Sequence, residues 1–180
     1  MAGIRIETSG TENVPKEKGF LYLFTHSSHF DIPILFACSP KSFRFGSKVS
    51  LLKIPIFGHA ARLAGTLPIT REDREKVIEV YREAEKRVAN GEAFALAPEG
   101  TRRKAHEKEI KAFKSGPFIF AFNAKMPVVP VVLCGSDRVM QKGSILINRH
   151  QWVTKVGVHF LPAMETKDIS MDNVKAFRDQ

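Results

Sequence analysis

The chain has 180 residues, 43% of them hydrophobic, with a formal net charge of +9 and a pI near 9.7. This length and apolar content suit one domain, residues 1–180, with an ordinary core. The charge calls for an anionic partner, which composition leaves open among nucleic acid, anionic lipid and a phosphorylated substrate. Cys38 and Cys134 sit in apolar contexts that read as core helix and core strand; they form no C-x-x-C or disulfide framework and fit a reducing compartment. No apolar leader opens Met1 to Val14 and no stretch reaches the ~20 apolar residues that span a bilayer, so neither export nor membrane crossing is expected.

Phe20 to Thr25 reads as a buried strand and Ile32 to Cys38 as a helix ended by Ser39-Pro40. Between them lies His26-Ser27-Ser28-His29-Phe30-Asp31. On one straight helix His26 and Asp31 would point to different faces, so contact between them requires a turn; Ser27-Ser28 and Pro33 in a first helical turn supply one. A carboxylate on one ring nitrogen fixes the tautomer and leaves the other nitrogen to take a proton from a hydroxyl. The alternative is a buried histidine beside a helix-capping aspartate. His26 and His29 have the spacing of a metal pair but lack a third ligand of recognisable spacing, so no metal is expected. Ser27 and Ser28 lack the Gly-x-Ser-x-Gly surroundings of a covalent nucleophile.

A short strand is expected around Phe43 to Phe45, then a broken helix over Ser50 to Ala64, interrupted by Pro55 and Gly58. The default for its apolar side chains is the core, and the alternative is a lipid-facing lip. Glu72 to Asn90 is an amphipathic helix with Val77, Val80, Tyr81, Ala84 and Val88 on one face, Glu72/Lys76 and Glu83/Arg87 at i, i+4, and Asn90-Gly91 as its stop. Ala93 to Ala97 is a buried strand and Gly116 to Ala124 an apolar helix. Val128 to Cys134 is a strand in which Pro130 belongs at an edge or bulge. Thr154 to Leu161 is another strand, and Asp172 to Arg178 a terminal helical fragment. The alternation predicts an α/β fold, with a mixed and partly parallel sheet flanked by helices.

Basic residues flanked by apolar ones recur at Arg71, at Arg102-Arg103-Lys104 and over Lys108 to Lys114. Arg71 follows a short extended segment and is either an ion-pair partner of Glu72 or Asp73 or a phosphate ligand. Glu99-Gly100-Thr101-Arg102 repeats the design after another strand: glycine permits close backbone approach, threonine offers a hydroxyl, and arginine a planar fork matched to phosphate oxygens. No nucleic-acid module is present, and Lys16, Lys18, Lys41, Lys48 and Lys53 are scattered without interleaved aromatics, so nucleic acid is not the expected partner.

The order H-x4-D (His26 to Asp31), G-x-x-x-I-x-R (Gly65 to Arg71), P-E-G-T-R (Pro98 to Arg102) and Val128-Val129-Pro130-Val131 after Phe113-Lys114-Ser115-Gly116 resembles the glycerolipid acyltransferases of the 1-acylglycerol-3-phosphate acyltransferase (PlsC-like) family. The resemblance covers about residues 18–135, and Pro68 and Arg103 depart from the family's pattern. It implies a glycerolipid acyltransferase-like fold and transfer of an acyl group from acyl-CoA or acyl carrier protein, as co-substrate and without cofactor, to a lysophospholipid hydroxyl. By it His26 is the base, Asp31 its orienter, and Arg71, Glu99, Gly100, Thr101 and Arg102 bind the acceptor. Val128 and Pro130 belong to a block on the acyl side. Lys48 matches a lysine that could stabilise an oxyanion, and is otherwise an ordinary surface lysine. The expected location is cytoplasmic and peripheral, at the inner face of an anionic membrane surface, held by basic residues and the apolar segment around Leu51 to Phe57. The competing expectations are an inert phospholipid-binding module and an acyl-thioester hydrolase.

Overall fold

A computed structural model describes residues 3–70, 72–104, 107, 109–144, 153–166 and 174–178. Seven strands, β1 (Gly3–Ser9), β2 (Leu21–Phe24), β3 (Phe43–Lys48), β4 (Leu67–Ile69), β5 (Ala93–Leu96), β6 (Val128–Cys134) and β7 (Val153–Phe160), form one sheet in the order β1-β7-β6-β2-β5-β3-β4. Neighbouring strands are parallel except β6 and β7. The helices are α1 (Asp31–Cys38), α2 (Phe57–Leu63), α3 (Arg74–Ala89), α4 (Gly116–Asn123) and α5 (Val174–Arg178).

Both faces of the central strands are covered, which is why β2 and β5 are continuous apolar runs rather than alternating ones. Tyr22, Phe24, Phe43, Phe45, Val129, Val131 and Phe160 pack with Ile34 and Leu35 of α1 on one face. Leu21, Leu23, Phe94, Leu96 and Val128 pack on the other against Tyr81 of α3 and Phe118 and Phe120 of α4. Aromatic rings fill both layers: Tyr22 meets Phe43 edge-on at 5.5 Å, and Tyr81 stacks on Phe120 at 4.8 Å. Burial pushes the Tyr22 phenol up to about 12, although its hydroxyl bonds Ser39.

Several expectations are refined. Strand β1 is absent from the sequence reading because it is an edge strand with mostly exposed side chains, showing only the alternation Ile4, Ile6. Helix α3 starts at an Asp73 cap that accepts the Lys76 N–H at 3.1 Å, and its buried face is the expected one. The expected i, i+4 ion pairs are replaced by Lys76–Asp73, Lys86–Glu83, Arg87–Glu92 and Lys48–Glu72. Cys38 is half-buried and packs against the core, whereas Cys134 is exposed.

Pro130 lies in a central strand, yet its missing N–H leaves no gap in the ladder. Between the pairs Val128↔Met164 and Val131↔Phe160, two residues of β6 face three of the returning chain, a bulge in which the Pro130 carbonyl accepts the Leu161 N–H at 2.9 Å.

The broken helix over Ser50 to Ala64 is a 3₁₀ turn, Val49–Lys53, followed by α2, joined through Ile56 at φ 65°. Gly58 is required because a Cβ there would stand 2.0 Å from the Leu52 carbonyl oxygen. The default that its apolar side chains face the core holds for only part of the segment. Leu52, Gly58 and Ala61 are buried, whereas Ile54, Phe57, Leu63 (77% exposed) and Ile56 (87% exposed) face outward.

Candidate active site

Because β2 to β6 run parallel, their carboxyl ends share one edge, the edge at which open α/β sheets form clefts. His26 follows β2, the turn Pro98 to Arg102 follows β5, Lys48 ends β3, and Ser136–Arg138 follows β6. Arg71 follows β4 in sequence but lies outside the described residues.

The chain turns sharply between β2 and α1, and the turn is organised by Asp31. Its Oδ2 accepts from His26 Nδ1 at 2.7 Å, from Ser27 N–H at 2.8 Å and from Ser28 N–H at 2.9 Å. All three donors precede the helix, so Asp31 folds the turn back on itself instead of capping the N–H groups ahead of it. Asp31 is fully buried while the His26 side chain keeps 19% of its exposure. A carboxylate only accepts, so in the neutral ring Nδ1 carries the proton and Nε2 is the acceptor, at the sheet edge. Phe24 packs edge-on against the imidazole at 5.5 Å, and Ser27 and Ser28 are hydrogen-bonded to Ser136 Oγ and the Met140 carbonyl, each at 2.9 Å.

Glu99 is a brace. It is 3% exposed; Oε1 accepts the His26 N–H at 3.5 Å and faces Arg103 Nε at 3.6 Å, and Oε2 accepts the Lys111 N–H at 3.2 Å. The Arg103 N–H returns to the His26 carbonyl at 2.8 Å. These contacts enclose the Glu99 carboxylate with protein donors and tie the P-E-G-T-R turn to the backbone of His26. Gly100 turns that corner at φ 68°. Thr101 Oγ1 and the Arg102 carbonyl both accept from Lys142, a residue in the loop after β6 that no sequence motif marked. Arg102 lies close enough to His29 to act on it. Desolvation first, then Arg102 and His26, hold His29 below the usual imidazole range.

Three expected site residues are not brought to the dyad. Val128 is 2% exposed and paired with Leu21, at the far end of β2, roughly 16 Å from His26 at ~3.3 Å per residue. Pro130 alternates onto the same face as Val128, whereas the dyad shares its face with Val129, Val131 and Leu133. Both lie in β6, away from the dyad. Lys48 stands two strands from β2, about 10 Å away at ~4.8 Å per strand, with its ammonium 3.1 Å from Glu72, so it flanks the end of β4 rather than the dyad.

The family model described as Acyltransferase matches residues 5–134. The chloroplastic 1-acyl-sn-glycerol-3-phosphate acyltransferase of Arabidopsis thaliana is 33% identical over 147 residues, 81% of this chain and 40% of the relative. The 1-acyl-sn-glycerol-3-phosphate acyltransferase of Saccharomyces cerevisiae is 28% identical across 100% of this chain and 58% of its own length. Among solved structures, the 1-acyl-sn-glycerophosphate (LPA) acyltransferase PlsC of Thermotoga maritima superimposes with a TM-score of 0.78 at 26% identity, covering 99% of this chain and 68% of that one. The chain spans about half the length of the curated relatives it matches. With the motif order, the parallel sheet and the His26–Asp31 pair all in place, the family match extends over most of the chain, which belongs to the Acyltransferase family.

Proposed function

We propose that this chain transfers a fatty acyl group from a thioester, acyl-CoA or acyl carrier protein, to the free hydroxyl of a lysophospholipid, with lysophosphatidate as the acceptor. The observation that carries the reading is the His26 ring, held by a buried aspartate that two backbone N–H groups fix in place. Nε2 takes the proton of the acceptor hydroxyl as its oxygen attacks the thioester carbonyl. The tetrahedral intermediate then collapses, the C–S bond breaks as the new C–O bond remains, and the imidazolium returns its proton to the departing thiolate. Asp31 stabilises the charged ring between the two transfers. A thioester is already activated, so the reaction needs no covalent intermediate. The acceptor phosphate is assigned to Arg102, Thr101 and Arg71, and the names of the relatives support that acceptor class. Mass-spectrometric detection of the diacylated product from an acyl thioester and lysophosphatidate tests the proposal, and finding only free fatty acid would overturn it.

The chemistry requires no Lewis acid, and in this scheme His26 Nε2 takes the hydroxyl proton rather than holding a metal. Dialysis against a strong chelator is therefore expected to leave the initial rate unchanged. Loss of rate restored by one divalent ion would contradict this.

Among the described residues no helix is long and apolar enough to cross a membrane. We assign attachment to the inner face of an anionic bilayer, through Ile54, Ile56, Phe57 and Leu63 flanked by the exposed Lys53 and Arg62. The segment follows the carboxyl end of β3, on the sheet edge where β2 and β5 also end. Burial of one such side chain is worth about 1.5–3 kcal/mol, so Ile56→Asp should weaken sedimentation with anionic vesicles at least roughly tenfold. Unchanged sedimentation would remove this segment from the membrane contact.

A further inference from the structure

The segment after β6 touches each part of the site. Ser136 meets Ser27, the Met140 carbonyl meets Ser28, and Lys142 crosses to the P-E-G-T-R turn. The Lys142 ammonium donates to the Arg102 carbonyl at 2.7 Å and to Thr101 Oγ1 at 3.2 Å, two neutral oxygens that leave one of its three N–H groups for another partner. Among the described residues, the carboxylate that acts on it is Glu107, and that group already accepts the Lys104 N–H at 2.8 Å and pairs with Lys111 at 2.9 Å. Arg102, Lys104 and Lys111 all repel Lys142, so four cations gather around one engaged carboxylate. Desolvation first, and then Lys111, hold Lys142 below the usual lysine range. The cost of gathering these charges is recovered when an anion is bound among them.

We propose that Lys142 is a substrate-binding residue that closes, with Arg102 and Thr101, around a phosphate group. The assignment rests on the acyl-transfer reading for the identity of the substrate, but not for the anion chemistry itself. Two substrates of that reaction carry phosphate, the acceptor lipid and the phosphorylated carrier of the donor. A charge-assisted hydrogen bond to phosphate leaves the same signature for either source.

The test is equilibrium binding without turnover, by calorimetry, on wild type, Lys142→Met and Lys142→Arg, with thermal melting to confirm folding. One arm compares a short-chain lysophosphatidate with the corresponding monoacylglycerol, and the other compares coenzyme A with pantetheine, which carries no phosphate. Lys142→Met keeps the apolar stem and removes the charge. It is expected to weaken one phosphate-bearing ligand roughly 10- to 100-fold without affecting its partner that lacks that phosphate, while Lys142→Arg retains most of the affinity. The arm that responds names the source of the phosphate. Wild-type affinity of Lys142→Met for both phosphate-bearing ligands would overturn the proposal. So would equal weakening for ligands with and without the phosphate, because that is what a purely structural tether would produce. Neither result would touch the His26–Asp31 mechanism, whose failure is read instead from product formation.

Discussion

Replacing His26 with alanine is expected to lower the acyl-transfer rate by roughly 10²–10⁴-fold, the usual contribution of a positioned general base, while leaving the fold intact. The structure supports the second half of that expectation. The ring is partly exposed at the sheet edge, and Asp31 keeps its bonds to the Ser27 and Ser28 N–H groups when the imidazole is gone. Asp31→Asn should remove much of the same rate, because an amide no longer fixes the Nδ1–H tautomer or stabilises the imidazolium. The two losses should not add, since both act through one proton transfer. Initial rates of the single and double variants, with circular dichroism melting curves alongside, decide this. A His26→Ala protein that turns over at the wild-type rate would remove the dyad from the mechanism.

The second large effect is expected at Arg102. If its guanidinium forms charge-assisted hydrogen bonds with the acceptor phosphate, removing it costs on the order of 1.5–3 kcal/mol of acceptor binding. Arg102→Ala should then raise the KM for a phosphate-bearing lysolipid by roughly 10- to 100-fold, where KM reports binding. Slow thioester hydrolysis without acceptor should persist. The Lys142 tether ends on the Arg102 carbonyl and the Thr101 hydroxyl, so the substitution leaves the turn anchored. Arg102→Lys should rescue only partly, because a point charge does not reproduce the planar fork. Steady-state kinetics separate the alternatives. A selective acceptor defect supports acyl transfer, an equal loss of acceptor-independent hydrolysis favours a hydrolase, and lost lipid binding in a protein that never turns over favours an inert module.

The parts of the molecule legible in the sequence are those where one strong local signal acts alone. Strands β2 and β5 are covered on both faces and therefore uniformly apolar, and α3 carries a clear helical stripe. The turn from His26 to Asp31 was legible because contact at that spacing demands it. Tertiary context governs the rest. Strand β1 exists by pairing with β7, far away in sequence, and shows little burial of its own. Which residues of β6 share the dyad's face, Val129 and Val131 rather than Val128 and Pro130, depends on which helix covers each side of the sheet. The apolar residues around Ile56 looked like core because hydropathy does not distinguish a buried side chain from one turned outward. Lys142 is a single lysine in a polar loop, and its link to Thr101 arises only when β6 lies beside β2.

The most direct test of acyl transfer is the initial rate of thiol release from a long-chain acyl thioester, measured with no acceptor and with increasing concentrations of several lysophospholipids. Transfer predicts slow basal release and a saturable rise with lysophosphatidate that is absent from His26→Ala. Fast release that no lysophospholipid alters would contradict it, and would make water the acceptor at the His26–Asp31 pair.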